Sequence, residues 1–118
     1  NFAKGVANIS GIFFPILSPI IGILGAFLTG SNTSSNVLFG AFQVNTAKLL
    51  NFPPEVIAST QSLGGSLGSA IAPAKIILGT AVVGLRGKEG EIIKEAIGYT
   101  LINGLLVGLT AFIVTLFF

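Results

Sequence analysis

The sequence contains no cysteine and no histidine, and these two absences exclude several kinds of chemistry. Without cysteine there is no disulfide framework and no thiolate metal site. Without either residue there is no Ser-His-Asp or Cys-His nucleophile, and a metal site lacks its commonest ligands. The phosphate-binding pattern GxxxxGK[ST] is also missing. The sequence therefore argues against an enzyme and predicts neither a cofactor nor a metal.

Charged residues are the second scarcity. Only six Lys or Arg and four Glu occur among 118 residues, whereas soluble domains have roughly 25% charged residues. The net charge of +2 is spread thinly, without the basic stripe that would predict a nucleic-acid partner. Ten charges cannot cover a soluble domain of this size. Together with a mean hydropathy of +0.93, this predicts an all-α integral membrane protein whose main surroundings are the lipid bilayer.

The positions of the charges support the same prediction. Three long stretches, residues 5–47, 56–74 and 96–118, carry no charged side chain. A hydrocarbon core about 30 Å thick needs ~20 apolar residues in a helix, and all three stretches are near or above that length. Six of the ten charges lie in residues 86–95, which predicts a polar loop at the membrane surface. We therefore expect a multi-pass protein with residues 96–118 as its last transmembrane helix, closely packed through Gly104 and Gly108.

Residues 9–47 predict a re-entrant hairpin. Residues 9–29 are an apolar helical stretch in which Pro15 and Pro19 would kink or break the helix. The polar run SNTSSN follows at 31–36, and the apolar residues 37–47 are too short to cross the bilayer at ~1.5 Å per residue. The polar tip would then lie at membrane depth, where irregular backbone is tolerated only if it is buried in protein or lines a cavity. A polar turn that merely caps two helices is the alternative.

Residues 55–85 predict a broken transmembrane helix. The Pro-Pro-Glu sequence at 53–55 is typical of a helix start. Gly64 and Gly65 would then interrupt the helix, which resumes over residues 71–85 with Pro73 near the restart. Tight packing of small residues against a neighbouring helix is the alternative reading of the glycines.

These two interruptions define a candidate substrate site. Ser34 or Ser35 would cap the helix that follows the tip, so that its free N–H groups and positive dipole end could hold an anion. Lys75, the charge inside an otherwise apolar stretch, could pair with a substrate carboxylate or extend to the membrane surface. The candidate substrate-binding residues are Ser31, Asn32, Thr33, Ser34, Ser35, Asn36, Gln61, Ser62, Gly64, Gly65 and Ser66, with Lys75 as a possible charge partner.

Four strings of the sequence resemble the C-terminal region of the bacterial L-lactate permease family. They are TGSNTSSNVLFG at 29–40, QVNTA at 43–47, QSLGGSLGSAIAP at 61–73 and GLRGKEG at 84–90. Their order and spacing match over essentially the whole chain, which also lacks an initial Met. The resemblance implies one part of a longer inner-membrane carrier, and the remainder of the same permease chain would then be a partner.

The resemblance also implies a function. A member of this family would carry out secondary active transport of L-lactate, and often glycolate, together with a proton. In outline the family is similar to carriers built from two inverted repeats, and this chain would supply the second repeat. In those carriers a Ser-Asn-Thr tip contacts substrate and cation, which matches Ser31, Asn32 and Thr33 by analogy. A carrier for another organic anion with different ion coupling remains an alternative, as does a channel-like or structural membrane subunit.

Overall fold

The computed structural model describes residues 13–117, which form five α-helices and no strand. This confirms the all-α prediction. The part of the predicted hairpin before residue 13, and Phe118 at the end of the last helix, lie outside the described residues. The helices are α1 (Phe14–Thr29), α2 (Asn32–Leu49), α3 (Pro54–Ala70), α4 (Pro73–Val83) and α5 (Glu89–Phe117).

The two prolines of α1 do not break the helix, contrary to one reading of the sequence. Pro15 lies in the first turn, where its missing N–H needs no partner. Pro19 lies inside the helix, which continues through it to Thr29. Pro19 removes one intrahelical hydrogen bond, and its backbone lies against Gly64 of α3.

The turn between α1 and α2 is shorter than the predicted tip. Gly30 ends α1 in the left-handed conformation, with φ of 79°, which glycine adopts without a steric penalty. Ser31 is the N-cap of α2, and its Oγ accepts a hydrogen bond from the Ser34 N–H at 3.2 Å. The prediction of Ser34 or Ser35 as the cap was therefore wrong by three or four residues. The polar residues 32–36 are helical and not irregular, because the cap at Ser31 satisfies the first turn.

The interruption after α3 also differs in position from the predicted one. The helix continues through Gly64 and Gly65 and ends at Ala70, so the break lies at Ile71 and Ala72. Pro73 explains this position, because a residue that precedes proline avoids the helical region. Ala72 accordingly has extended backbone angles, φ −60° and ψ 137°. The predicted start of α3 is confirmed, with Pro54 and Glu55 in its first turn.

The predicted polar loop over residues 86–95 is mostly helical. Gly84 ends α4 with φ of 78°, and α5 begins at Glu89, so only residues 84–88 form the connection. Glu89 and Glu91 lie in the first turn of α5, where negative charge is favourable. The charged residues therefore add two turns to the start of the last helix.

Helix α1 lies at the centre of the bundle and packs against α2, α3 and α5. The outer faces of the other helices are apolar: Leu78 and Val82 of α4 are 67% and 78% exposed, and Phe117 of α5 is 74% exposed. Two helical segments, Pro54–Val83 and Glu89–Phe117, are long and apolar enough to cross a membrane. The exposed apolar surface suits lipid or further membrane protein rather than water.

Candidate functional site

The two predicted halves of the site are in contact. The Asn32 Nδ2 donates a hydrogen bond to the Ser66 Oγ at 3.0 Å. Deeper in the bundle, the Gln61 Nε2 donates to the Ser35 Oγ at 2.9 Å and to the Asn36 Oδ1 at 3.1 Å. Because α2 and α3 are far apart in sequence at these points, the contacts show that the fold brings the start of α2 against the middle of α3.

The start of α2 presents one polar atom that its neighbours do not satisfy. The Asn32 Oδ1 is buried and accepts no hydrogen bond from residues 13–117. It lies against Gly65, where an added Cβ would be 3.0 Å from the Asn32 Cγ and closer still to the Oδ1. A side chain at position 65 would therefore displace the Asn32 amide. The glycine allows this amide to approach the α3 backbone.

The remaining predicted site residues have different surroundings. Thr33 is exposed, and Ser62 is half-buried and accepts a hydrogen bond at its carbonyl from the Ser66 Oγ at 3.2 Å. Gly64 contacts α1: a Cβ there would lie 2.8 Å from the Pro19 carbonyl carbon. Its surroundings are those of the close-packing alternative, since the contact is with a neighbouring helix backbone.

A buried polar network extends beyond the predicted residues. The Ser18 Oγ donates to the Gln43 Oε1 and lies 2.6 Å from the Thr60 Oγ1. The Gln43 Nε2 donates to the Ser18 carbonyl at 3.0 Å and to the Gln61 Oε1. Ser18 and Gln43 are fully buried, and Gln61 is 1% exposed. The network therefore fixes the orientation of the Gln61 amide that reaches Ser35.

Sequence reasoning did not assign Ser18 and Gln43 to the site. A signal was present, because each is a polar residue inside an apolar stretch, and a buried polar group is normally hydrogen-bonded. Pairing Gln43 with Gln61 required the knowledge that α2 and α3 lie side by side.

Lys75 is exposed, and its Nζ donates to the Ser69 Oγ of α3. The structure does not place it against Asn32 or its neighbours. Its neighbour Ala74 lies next to the turn between α1 and α2, since the Ala74 Cβ is 4.0 Å from the position that a Cβ on Gly30 would take. A cavity of about 200 Å³ separates this turn from the break between α3 and α4. The turn and the break are therefore neighbours in the fold.

The site is chemically neutral. Its side chains are amides and hydroxyls, and its strongest electrostatic feature is the N-terminus of α2, whose free N–H groups carry partial positive charge. Such a site can hold the oxygens of a small anion. It offers no general acid or base among the residues in contact.

The fold defines a class of protein: a helical protein with two segments long and apolar enough to cross a membrane, and with a cluster of neutral hydrogen-bonding side chains between its helices. Comparison with known families gives the particular one. The sequence profile of L-lactate permease matches residues 1–118, and the chain belongs to the L-lactate permease family. This is a family of membrane transporters and not of enzymes.

The chain is similar to several curated relatives. It is 39% identical over 105 residues to the L-lactate permease of Bacillus subtilis and 37% identical over 110 residues to that of Escherichia coli K12. It is 38% identical over 100 residues to the glycolate permease GlcA of Escherichia coli K12. These matches cover 89%, 90% and 85% of the chain but only 19%, 20% and 18% of the relatives' lengths. No solved structure matches the chain.

Proposed function

We propose that the permease containing this chain imports L-lactate, and related 2-hydroxy monocarboxylates such as glycolate, by proton symport. The support is the family itself and the names of its relatives, which are L-lactate permeases and a glycolate permease. Both named substrates are small carboxylates with a hydroxyl on the adjacent carbon. The protein would be a multi-pass protein of the bacterial inner membrane.

The observation that carries the proposed site is the hydrogen bond between Asn32 and Ser66 at the start of α2. The substrate carboxylate would accept hydrogen bonds from the N–H groups of the first turn of α2, where the helix dipole favours negative charge. The exposed hydroxyl of Thr33 and the Ser66 hydroxyl would bind the substrate hydroxyl. Helix N-termini serve anionic substrates in this way in other secondary transporters.

The rest of the permease would complete this site. In the proposed architecture, α1 and α2 form a re-entrant hairpin, and α3 with α4 forms a broken helix of the second of two inverted repeats. The proximity of the hairpin turn to the break at Ile71 and Ala72 supports the pairing of these two elements. Proton coupling would need Lys75 or an ionisable group elsewhere in the permease, because the apolar stretches of this chain carry neither carboxylate nor histidine.

Uptake of radiolabelled L-lactate into cells making the full-length permease tests the proposal. We expect uptake that a protonophore abolishes, and a KM raised several-fold, up to about tenfold, by Asn32→Ala, because the Asn32 amide orients the Ser66 hydroxyl that would bind the substrate. A hydrogen bond between neutral groups contributes about 0.5–1.5 kcal/mol, and 1.4 kcal/mol corresponds to a tenfold change. Asn45→Ala is the matched control, since Asn45 is an exposed asparagine on the same helix.

The alternatives give different results. Flux of ions without dependence on the proton gradient would indicate a channel-like protein. Uptake that a protonophore leaves intact but sodium removal abolishes would indicate another coupling ion. A loss of membrane abundance in Asn32→Ala with unchanged KM would mean that the polar start of α2 is only a cap. Uptake no greater than in cells without the permease would refute the lactate assignment.

A further inference from the structure

Asn103 lies at the centre of α5 and is the only side-chain amide of that helix. It is the fifteenth of 29 residues, and from Ala96 onward α5 contains no charged residue. The uncharged part of α5, residues 96–117, is about as long as the ~20 residues that cross the hydrocarbon core, and Asn103 lies within it, about 5 Å from its centre at ~1.5 Å per residue. A carboxamide at that depth needs polar partners, because burial without hydrogen bonds costs several kcal/mol.

Two threonines further along the apolar part of α5 have hydrogen bonds within the helix. The Thr110 and Thr115 hydroxyls donate to carbonyls of their own helix, those of Leu106 and Phe112, each at 2.9 Å. Asn103 makes no side-chain hydrogen bond to any residue between 13 and 117, and it is exposed on this part of the protein. Its amide is therefore available to a group outside these residues.

A cavity of about 380 Å³ lies in front of Asn103, between α3 and α5. Its walls are mostly apolar side chains, among them Leu63, Leu67 and Leu106, and its polar residues are Asn103 and Ser66. Small-molecule sites commonly combine apolar walls with a few placed polar groups. The volume is larger than a three-carbon acid requires.

Ser66 connects this cavity to the start of α2. Ser66 lines the cavity, and its Oγ accepts the hydrogen bond from Asn32 at 3.0 Å. The buried Asn32 Oδ1, which accepts no hydrogen bond from the described part of the chain, belongs to the same amide. Three helices thus contribute polar side chains to one region: Asn32 of α2 is bonded to Ser66 of α3, and Ser66 shares the cavity with Asn103 of α5.

We propose that Asn103 is a further substrate-contacting residue, and that its Nδ2 donates a hydrogen bond to the 2-hydroxy monocarboxylate bound beside Ser66. This inference rests on the proposed function and adds α5 to the site. The substrate is the partner of the Asn103 amide. The competing partner is a polar group on a helix from the rest of the permease, which would make Asn103 a packing residue.

Kinetics of the full-length permease distinguish the two partners. We expect Asn103→Ala to raise the KM for L-lactate at least tenfold while membrane abundance and thermal stability stay unchanged. Asn103→Asp should raise it further, since a carboxylate would repel the substrate. Thr110→Val is the control, because that hydroxyl is satisfied within its own helix. An unchanged KM with reduced abundance would show that Asn103 contacts another helix, and this would overturn the inference.

A labelling experiment gives an independent readout. In a full-length permease without other cysteines, Asn103→Cys should react with a small polar thiol reagent, and L-lactate should slow the reaction. Leu101→Cys, about 200° around the helix at ~100° per residue, should react slowly with or without lactate. Reaction at position 103 that lactate does not change would overturn the inference even if the permease transports lactate. Wild-type permease without lactate uptake would instead refute the proposed function, and this inference with it.

Discussion

Replacing Gly64 with alanine tests whether α1 and α3 pack backbone to backbone. An added Cβ would lie 2.8 Å from both the Pro19 carbonyl carbon and the Pro19 Cα, and closer still to the carbonyl oxygen. These atoms belong to the backbone and cannot rotate away, so the two helices would have to separate. The same movement would loosen the contacts at Gly22 and Gly68, where a Cβ would also meet backbone of the opposing helix.

The expected cost follows from two opposing effects. Overpacking a close contact costs about 1–3 kcal/mol, whereas alanine favours a helix over glycine by at most about 1 kcal/mol. Because the obstructing atoms belong to the backbone, the upper part of this range applies, and Gly64→Ala should destabilise the permease by up to about 2 kcal/mol net. Gly79→Ala is the matched control on α4, because among residues 13–117 no atom beyond its own helix backbone and chain neighbours lies within 4 Å of a Cβ at that position. It should be neutral or slightly stabilising.

Thermal unfolding of the purified full-length permease in detergent, followed by size-exclusion chromatography, measures both variants. Relative to the wild-type permease, we expect a lower midpoint of thermal unfolding for Gly64→Ala and an equal or higher midpoint for Gly79→Ala. Equal midpoints for the two variants would refute the close backbone contact between α1 and α3. A lower midpoint for Gly79→Ala alone would mean that α4 is packed against a part of the permease beyond residues 13–117.

Three further predictions use the same assay. Gln61→Leu removes two donated hydrogen bonds and one accepted hydrogen bond. At about 0.5–1.5 kcal/mol for each bond, the variant permease should be less stable by about 2–4 kcal/mol. An unchanged unfolding midpoint would contradict the buried network. Ser31→Ala should cost about 1 kcal/mol, because the α2 cap is lost, and Ser31→Asp should restore the midpoint. Lys88→Ala should leave the midpoint unchanged at any salt concentration, since its pair with Glu91 is exposed and 3.9 Å long.

The sequence predicted the all-helical membrane class because a charged side chain is costly in a membrane, and long stretches without charge can be found directly in a sequence. It also predicted that the run after Gly30 and the middle of α3 would meet, and Asn32 and Ser66 are hydrogen-bonded. The helix start at Pro54 was correct for a local reason, since proline suits the first turn. The all-helical class and the start of α3 were thus predicted from the scarcity of charge and from proline at a first turn.

The misplaced break in α3 has a tertiary cause. Gly64 and Gly65 have low helix propensity, which indicated a break, but the helix continues because these glycines allow α3 to approach α1 and the Asn32 amide. Whether α3 breaks at these glycines depends on tertiary packing, which a local sequence pattern does not show. Pro73 has a local effect, because it restricts the backbone of the residue before it, and the break therefore lies at Ile71 and Ala72.

The exposure of the polar residues indicates which way the proposed site opens. Gln43, Gln61 and Ser35 are at most 1% exposed and bond to one another and to α1, so they support the bundle from within. Thr33, Ser66 and Asn103 are exposed at its surface. A transported solute must reach its site and leave it, so the groups that bind it belong with the second set. The relatives are about five times longer than the matched region, and in the full permease the exposed set would face that additional protein across the substrate path.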